Sequence, residues 1–227
     1  MPQRRLMEED HMGSLPDAQE IVIPAVGVRL QGTLTLPPDA VSLVLFAHGS
    51  GSSRHSPRNR YVAAELNRSG IGTLLMDLLS PQEDTVPMAR FDIDLLAARL
   101  AQATGWVAAR LAAPLPLGYF GASTGAAAAI RAANASPIQI RAIASRGGRP
   151  DMAEPDALAT LLAPILLIVG GLDTSVIELN RAAFALLRCP KELVIVPGAT
   201  HLFEEPGTLE AVARLAAQWF GRFLGNA

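Results

Sequence analysis

Residues Gly121-Ala122-Ser123-Thr124-Gly125 form a G-x-S-x-G pattern, and the segments on either side give it force. A short apolar run, 115–120, leads into the pattern, and a small-residue stretch suited to a helix, 124–134, leads out of it. A strand that turns sharply through a serine into a helix presents the hydroxyl at the carboxyl end of a sheet. Glycine at both ends permits the tight turn and the close helix–strand approach. In this setting Ser123 reads as a nucleophile. The pattern by itself also arises by chance in a Gly- and Ala-rich chain, and the alternative reading of Ser123 is a cap on the helix that follows. The rest of the chain has to decide between them.

The other segments alternate in kind. Residues 20–23 and 28–36 read as an opening strand pair, stopped by Pro37-Pro38. Residues 42–47, 72–78, 140–145, 164–169 and 192–196 are short, continuous apolar runs, the pattern of strands buried on both faces. Helical patterns fall between them at 61–69, 88–111, 175–187 and 209–224, with a short one at 157–161. In the last long helix Val212, Leu215, Ala216, Trp219 and Phe220 recur at helical spacing. Strands alternating with helices predict an α/β fold whose mostly parallel sheet is flanked by helices on both faces. Ligand sites in such folds lie at the carboxyl ends of the strands.

The 227 residues suffice for one well-filled core, so residues 20–227 read as a single domain. Residues 1–19 are polar and irregular, without the apolar core of a signal peptide, and read as disordered. No apolar run is long enough to span a membrane. A formal net charge of −2 gives no global attraction to nucleic acid or to an anionic membrane. Cys189 is the only cysteine, which excludes an intramolecular disulfide and a cysteine metal cluster and fits a cytoplasmic protein. No His/Asp/Glu cluster has metal-ligand spacing, and neither a G-x-G-x-x-G nor a P-loop is present, so no metal or nucleotide site is expected.

A serine nucleophile needs a base, and the base needs an acid that fixes its tautomer. His201 follows the last strand, in Pro197-Gly198-Ala199-Thr200-His201. Asp173 follows the preceding strand through Gly170-Gly171-Leu172. The order Ser, Asp, His matches the α/β-hydrolase arrangement. The alternative for Asp173 is an N-cap on the next helix. Oxyanion donors are expected from the backbone N–H of Thr124 and from the loop His48-Gly49-Ser50, with Ser50 favoured over Gly49. His48 is a rival base by residue type, although its position suits a brace beneath that loop. Asp77, at the end of another strand, suits tying the same loop down. Arg54, Arg58 and Arg146 stand where a substrate carboxylate or phosphate could be held. The alternative is that they are solvated or salt-bridged, since all the basic residues except Lys191 are arginine.

Together, HGSGSS at 48–53, G-x-S-x-G at 121–125, SRGGRPD at 145–151, GGLD at 170–173 and PGATHLFEEPG at 197–207 resemble the dienelactone hydrolase-like branch of the α/β-hydrolase superfamily. The resemblance runs over residues 20–224. It implies about eight strands, no cofactor, and a triad of Ser123, Asp173 and His201. The chain departs from the pattern in two ways. Dienelactone hydrolases proper carry a cysteine nucleophile, whereas here the position is Ser123. The cap that many relatives insert after the sixth strand is absent from the 145–164 link, so the pocket is expected to be shallow and open. The expected activity is hydrolysis of small carboxylic esters or lactones through an acyl-enzyme. Acyl transfer by the same triad and a non-catalytic binding scaffold stand as the alternatives. The expected partner is a small-molecule ester or lactone, with no nucleic acid and no membrane.

Overall fold

The computed structural model describes residues 17–225. Most of the segment expected to be disordered, residues 1–16, lies outside the described residues, and so do residues 226–227. Ala18 and Gln19, expected within that segment, are already paired with Thr35 and Leu34.

The chain runs β1 (Ala18–Ala25), β2 (Val28–Thr35), β3 (Ser42–Ala47), α1 (Pro57–Arg68), β4 (Ile71–Met76), α2 (Ile93–Ala108), β5 (Leu117–Ala122), α3 (Thr124–Ala135), β6 (Ile140–Arg146), α4 (Pro155–Thr160), β7 (Ile165–Gly170), α5 (Thr174–Leu186), β8 (Lys191–Val196) and α6 (Thr208–Leu224). The eight strands form one sheet in the order β1-β2-β4-β3-β5-β6-β7-β8. Only the β1–β2 and β2–β4 pairs are antiparallel. From β4 to β8 every pair is parallel, so the carboxyl ends of β3, β5, β6, β7 and β8 share one edge.

The period of two along a strand divides the core. Leu43, Leu45 and Ala47 face the layer of α2 and α3, while Val44 and Phe46 face α1 and α6. β3, β4, β5 and β7 are buried at every position, which explains their unbroken apolar runs. The sheet flanked by helices is the one expected from the pattern, and its eight strands match the α/β-hydrolase architecture that the resemblance implies. The link from β6 to β7 holds a single 3-10 turn, Pro150–Ala153, and the six-residue α4, so no cap domain is inserted there.

Several boundaries move. The helix expected from residue 61 begins at Pro57, because Ser56 caps it by accepting the Asn59 N–H at 3.4 Å and proline occupies its first turn. The helix expected from residue 88 begins at Ile93, where Asp92 accepts the Leu95 N–H at 3.0 Å. Residues Pro87–Phe91 wind as a separate 3-10 turn. The strand before the serine runs two residues further than expected, to Ala122, so the turn springs directly from the sheet.

Candidate active site

The turn between β5 and α3 holds Ser123 at φ 50°, ψ −124°, backbone that a side chain rarely adopts. Two contacts enforce it. The Ser123 N–H donates to the Arg146 carbonyl at 3.3 Å, and the Ser123 carbonyl accepts the Arg149 N–H at 3.0 Å. The turn also crosses the end of β3 closely. A Cβ on Gly125 would stand 2.1 Å from the Ala47 carbonyl oxygen, so only glycine fits there. Ser123 occupies the N-cap position of α3 yet makes no capping hydrogen bond. Its hydroxyl is therefore not spent on the helix, and the side chain is partly exposed.

Asp173 and His201 lie on two turns that are laced together. Gly171 N–H donates to Val196 at 2.8 Å and Leu172 N–H to Ala199 at 2.9 Å. His201 Nδ1 then meets Asp173 Oδ2 at 2.6 Å. Asp173 sits at the N-cap position of α5, but its carboxylate makes no capping bond there. The imidazole is 40% exposed and the carboxylate 12%, so the imidazole is the more accessible member of the pair. The ring lies against Gly147, the residue after the carbonyl that anchors Ser123. Ser123 Oγ and His201 Nε2 are not hydrogen-bonded to each other in this structure. Catalytic contacts of this kind commonly tighten only once substrate is bound.

The histidine turn is anchored from below. Glu205 accepts the Thr200 N–H at 3.0 Å, and this bond draws its carboxyl below the usual carboxylate range. Phe203, at φ 56°, is buried in the α1–α6 core. Glu204 reaches across to Arg58 at 3.0 Å.

The loop after β3 is equally fixed. His48 is a brace: Nδ1 donates to the Gly49 carbonyl at 2.9 Å, and Nε2 accepts the Leu78 N–H at 3.1 Å. Accepting the Leu78 N–H requires the neutral ring, and burial pushes its pKa down. Asp77 accepts the Arg54 N–H at 2.8 Å and pairs with the Arg54 guanidinium. Of the three expected backbone donors, the N–H groups of Thr124 and Gly49 have no acceptor among the described residues. The Ser50 N–H is taken up by Thr124 Oγ1 at 3.0 Å.

The arginines separate sharply. Arg54 is spent on Asp77 and Glu20, Arg58 on Glu204, and Arg149 on Asp151. Arg146 is 7% exposed and has no carboxylate partner among the described residues. Its Nη2 reaches Asn59 Oδ1 at 3.5 Å, and its Cζ stands 6.0 Å from the Phe203 ring centroid. Its Nε has no hydrogen-bond partner. Burial, and secondarily the like charge of Arg58, push its pKa down to about 10.

Sequence reasoning missed Asn59, the Thr124 hydroxyl and the apolar rim. Leu172 and Leu202, each beside a triad candidate, are 63% and 40% exposed. The Ser56-Pro57 cap was the sequence signal that places Asn59 on a helix. Two cavities of several hundred Å³ are lined by none of the candidate site residues. One of about 650 Å³ opens at the opposite end of the sheet, lined by Asn134, Gln139, Thr160 and Leu162. Another, of about 670 Å³, lies over the Pro87–Phe91 turn. Among the described residues no group of three or more His, Cys, Asp or Glu side chains could hold a metal ion, and no helix is long and apolar enough to cross a membrane.

No protein-family model matches the chain. A dienelactone hydrolase from Anabaena variabilis is 50% identical, with a TM-score of 0.88 over 92% of this chain and 99% of that one. The esterase domain of a Rhodothermus marinus protein is 22% identical with a TM-score of 0.74, over 92% of this chain and 100% of that one. That similarity is one of fold. A Mycobacterium tuberculosis protein carrying the provisional name of a phosphoribosyl transferase is 55% identical over 203 residues, 89% of this chain but 46% of that protein. The chain thus spans about half the length of the curated relatives it matches.

Proposed function

From the premise that the chain belongs to the dienelactone hydrolase-like branch of the α/β-hydrolase superfamily, we propose that it hydrolyses small carboxylic esters or lactones through an acyl-enzyme. The observation that carries this reading is the Asp173–His201 contact of 2.6 Å, together with a serine on strained backbone whose hydroxyl makes no helix cap. Ser123 Oγ attacks the ester carbonyl carbon while His201 Nε2 takes its proton. Asp173 holds Nδ1–H and stabilises the imidazolium. The backbone N–H groups of Thr124 and Gly49 hold the negative oxygen of the tetrahedral intermediate. Collapse expels the alkoxide, which takes the proton back from His201. A water then attacks the acyl-serine by the same route and releases the carboxylic acid and free Ser123.

The test is labelling by a fluorophosphonate together with pre-steady-state ester cleavage. The folded protein should label at Ser123 and release a burst of alcohol equal to the enzyme present. Ser123→Ala should abolish both and lower kcat by about 10⁴-fold or more. Absence of labelling in folded protein points instead to a non-catalytic scaffold. A burst followed by faster turnover with added alcohol acceptors points to acyl transfer.

The substrate class we favour carries an anionic group. Arg146 supports this, because a buried guanidinium without a counter-charge is costly unless an anion arrives with the ligand. Arg58 stands beside it but is paired with Glu204, and Arg54 is paired with Asp77 and Glu20. Arg146→Met should lower kcat/KM for a carboxylated ester about tenfold or more relative to a neutral ester of equal acyl length. Its melting temperature should hold or rise, since an uncompensated buried charge is removed. An unchanged substrate ratio overturns this part alone. A cytoplasmic location is compatible with the single Cys189. The phosphoribosyl transfer in the mycobacterial relative's name is not carried over, because this chain matches less than half of that protein.

A further inference from the structure

The Thr124 hydroxyl is in an unusual position for a helical threonine. Threonines inside helices ordinarily donate to the carbonyl four residues back. Thr104 does so to Leu100 at 2.8 Å, and Thr160 to Asp156 at 2.7 Å. Thr124 is the first residue of α3, and the chain four residues earlier is strand β5, so that route is closed. Its Oγ1 accepts the Ser50 N–H at 3.0 Å instead, and no acceptor among the described residues takes its proton. The residue is 3% exposed. A buried donor without an acceptor costs about 1–3 kcal/mol. The neighbouring geometry says where an acceptor could come from. Thr124 directly follows Ser123, and a Cβ on Gly49 would stand 2.9 Å from Ser123 Cβ, so the Gly49-Ser50 loop and the serine are in contact. On the acyl-enzyme reading, the negative oxygen of an ester bound at Ser123 develops beside this loop.

We propose that the Thr124 hydroxyl is an oxyanion donor: it takes the Ser50 N–H as acceptor and passes its own proton, as a hydrogen bond, to the oxygen of the tetrahedral intermediate. The Ser50 amide then acts through Thr124 and does not touch substrate. The donation polarises the hydroxyl and fixes its rotor, so the outgoing hydrogen bond is oriented before substrate arrives. No proton changes owner in this step. It adds a third donor to the backbone N–H groups of Thr124 and Gly49, and one residue supplies two of the three.

This inference rests on the acyl-enzyme reading, and the experiment separates the two. Wild type, Thr124→Val and Thr124→Ser are compared for fluorophosphonate labelling at Ser123, for kcat and KM on one ester, and for inhibition by an alkyl boronic acid, a mimic of the tetrahedral state. Valine keeps the shape of threonine without the hydroxyl. The expected result for Thr124→Val is a loss of about 10²-fold in kcat, the scale of one lost oxyanion donor. KM should move little, and boronate inhibition should weaken by a similar factor to kcat. Thr124→Ser should recover most of the loss. The proposal is overturned if Thr124→Val turns over as fast as wild type or faster. In that case the hydroxyl merely blocks the Ser50 N–H, and its removal frees that amide to serve directly. It is also overturned if kcat falls but boronate affinity does not, because the loss is then not in the tetrahedral state. Failure of wild type to label at Ser123 defeats the underlying reading instead. Thermal melting of each variant shows whether a loss comes from unfolding.

Discussion

His48 holds two backbone groups at once, and the one bond in which it accepts, from the Leu78 N–H, needs a neutral ring. Protonation removes the lone pair that accepts the Leu78 N–H and places a charge in a buried site. Asp77 and Asp84 favour the charged ring, but burial outweighs them and the folded pKa lies below its ordinary value of 6.5. The unfolded chain therefore binds this proton first as pH falls. The contribution of His48 is intact above about 6.5 and is lost on descending toward the lowered folded value. At most it changes by about 1.4 kcal/mol per pH unit. Thermal melting between pH 8 and 5 should show the midpoint falling below pH 6.5, and His48→Asn should flatten the part of that slope due to this ring. A wild-type slope that survives unchanged in the variant sinks the assignment. The sequence permitted His48 either role. Only the placement of Leu78 N–H and Gly49 C=O on its two nitrogens separates a brace from a base, and that placement comes from tertiary structure.

The elements supply their functional residues through turns that cross at short range. Gly170 ends β7 against the histidine turn, where an added Cβ would lie 2.5 Å from the carbonyl oxygens of both Ala199 and Thr200. Both are backbone atoms that cannot rotate away. Gly170→Ala should part the two turns, break the Leu172–Ala199 bond and misplace Asp173 against His201. Stability should fall by about 1–3 kcal/mol, and kcat by more than that loss of folded protein explains. Gly105 provides the control. It lies inside α2 with nothing within 4 Å of an added Cβ, and Gly105→Ala should stabilise by about 0.5–1 kcal/mol. Element type was legible wherever burial is uniform, as in β3, β5 and β7, because two-sided burial writes a continuous apolar run. Starts were less legible. Residues Pro87–Phe91 carry helix-compatible side chains, and the Asp92 cap that excludes them from α2 is a single polar residue. The candidate triad was legible because its spacing follows strand order. The spending of Arg54 and the isolation of Arg146 were not, since ion pairing depends on which distant carboxylate is brought near.

At the scale of the whole molecule, the candidate site is an edge property of the sheet. The turn after β5 carries Ser123, the loop after β3 carries Gly49 and Ser50, and the turns after β7 and β8 carry Asp173 and His201. No two of these loops follow one another without a helix or strand between them. The parallel order has a further consequence for how the chain reaches its native state. β3 pairs with β5 although α1, β4 and α2 lie between them in sequence. That pairing closes a long loop, and such non-local contacts make folding slow. Until it forms, β3 and β5 are exposed apolar segments with high self-association tendency, whereas the local β1–β2 hairpin can form early. Assembly of the candidate site and protection from aggregation thus arrive in the same late event, the docking of the central strands.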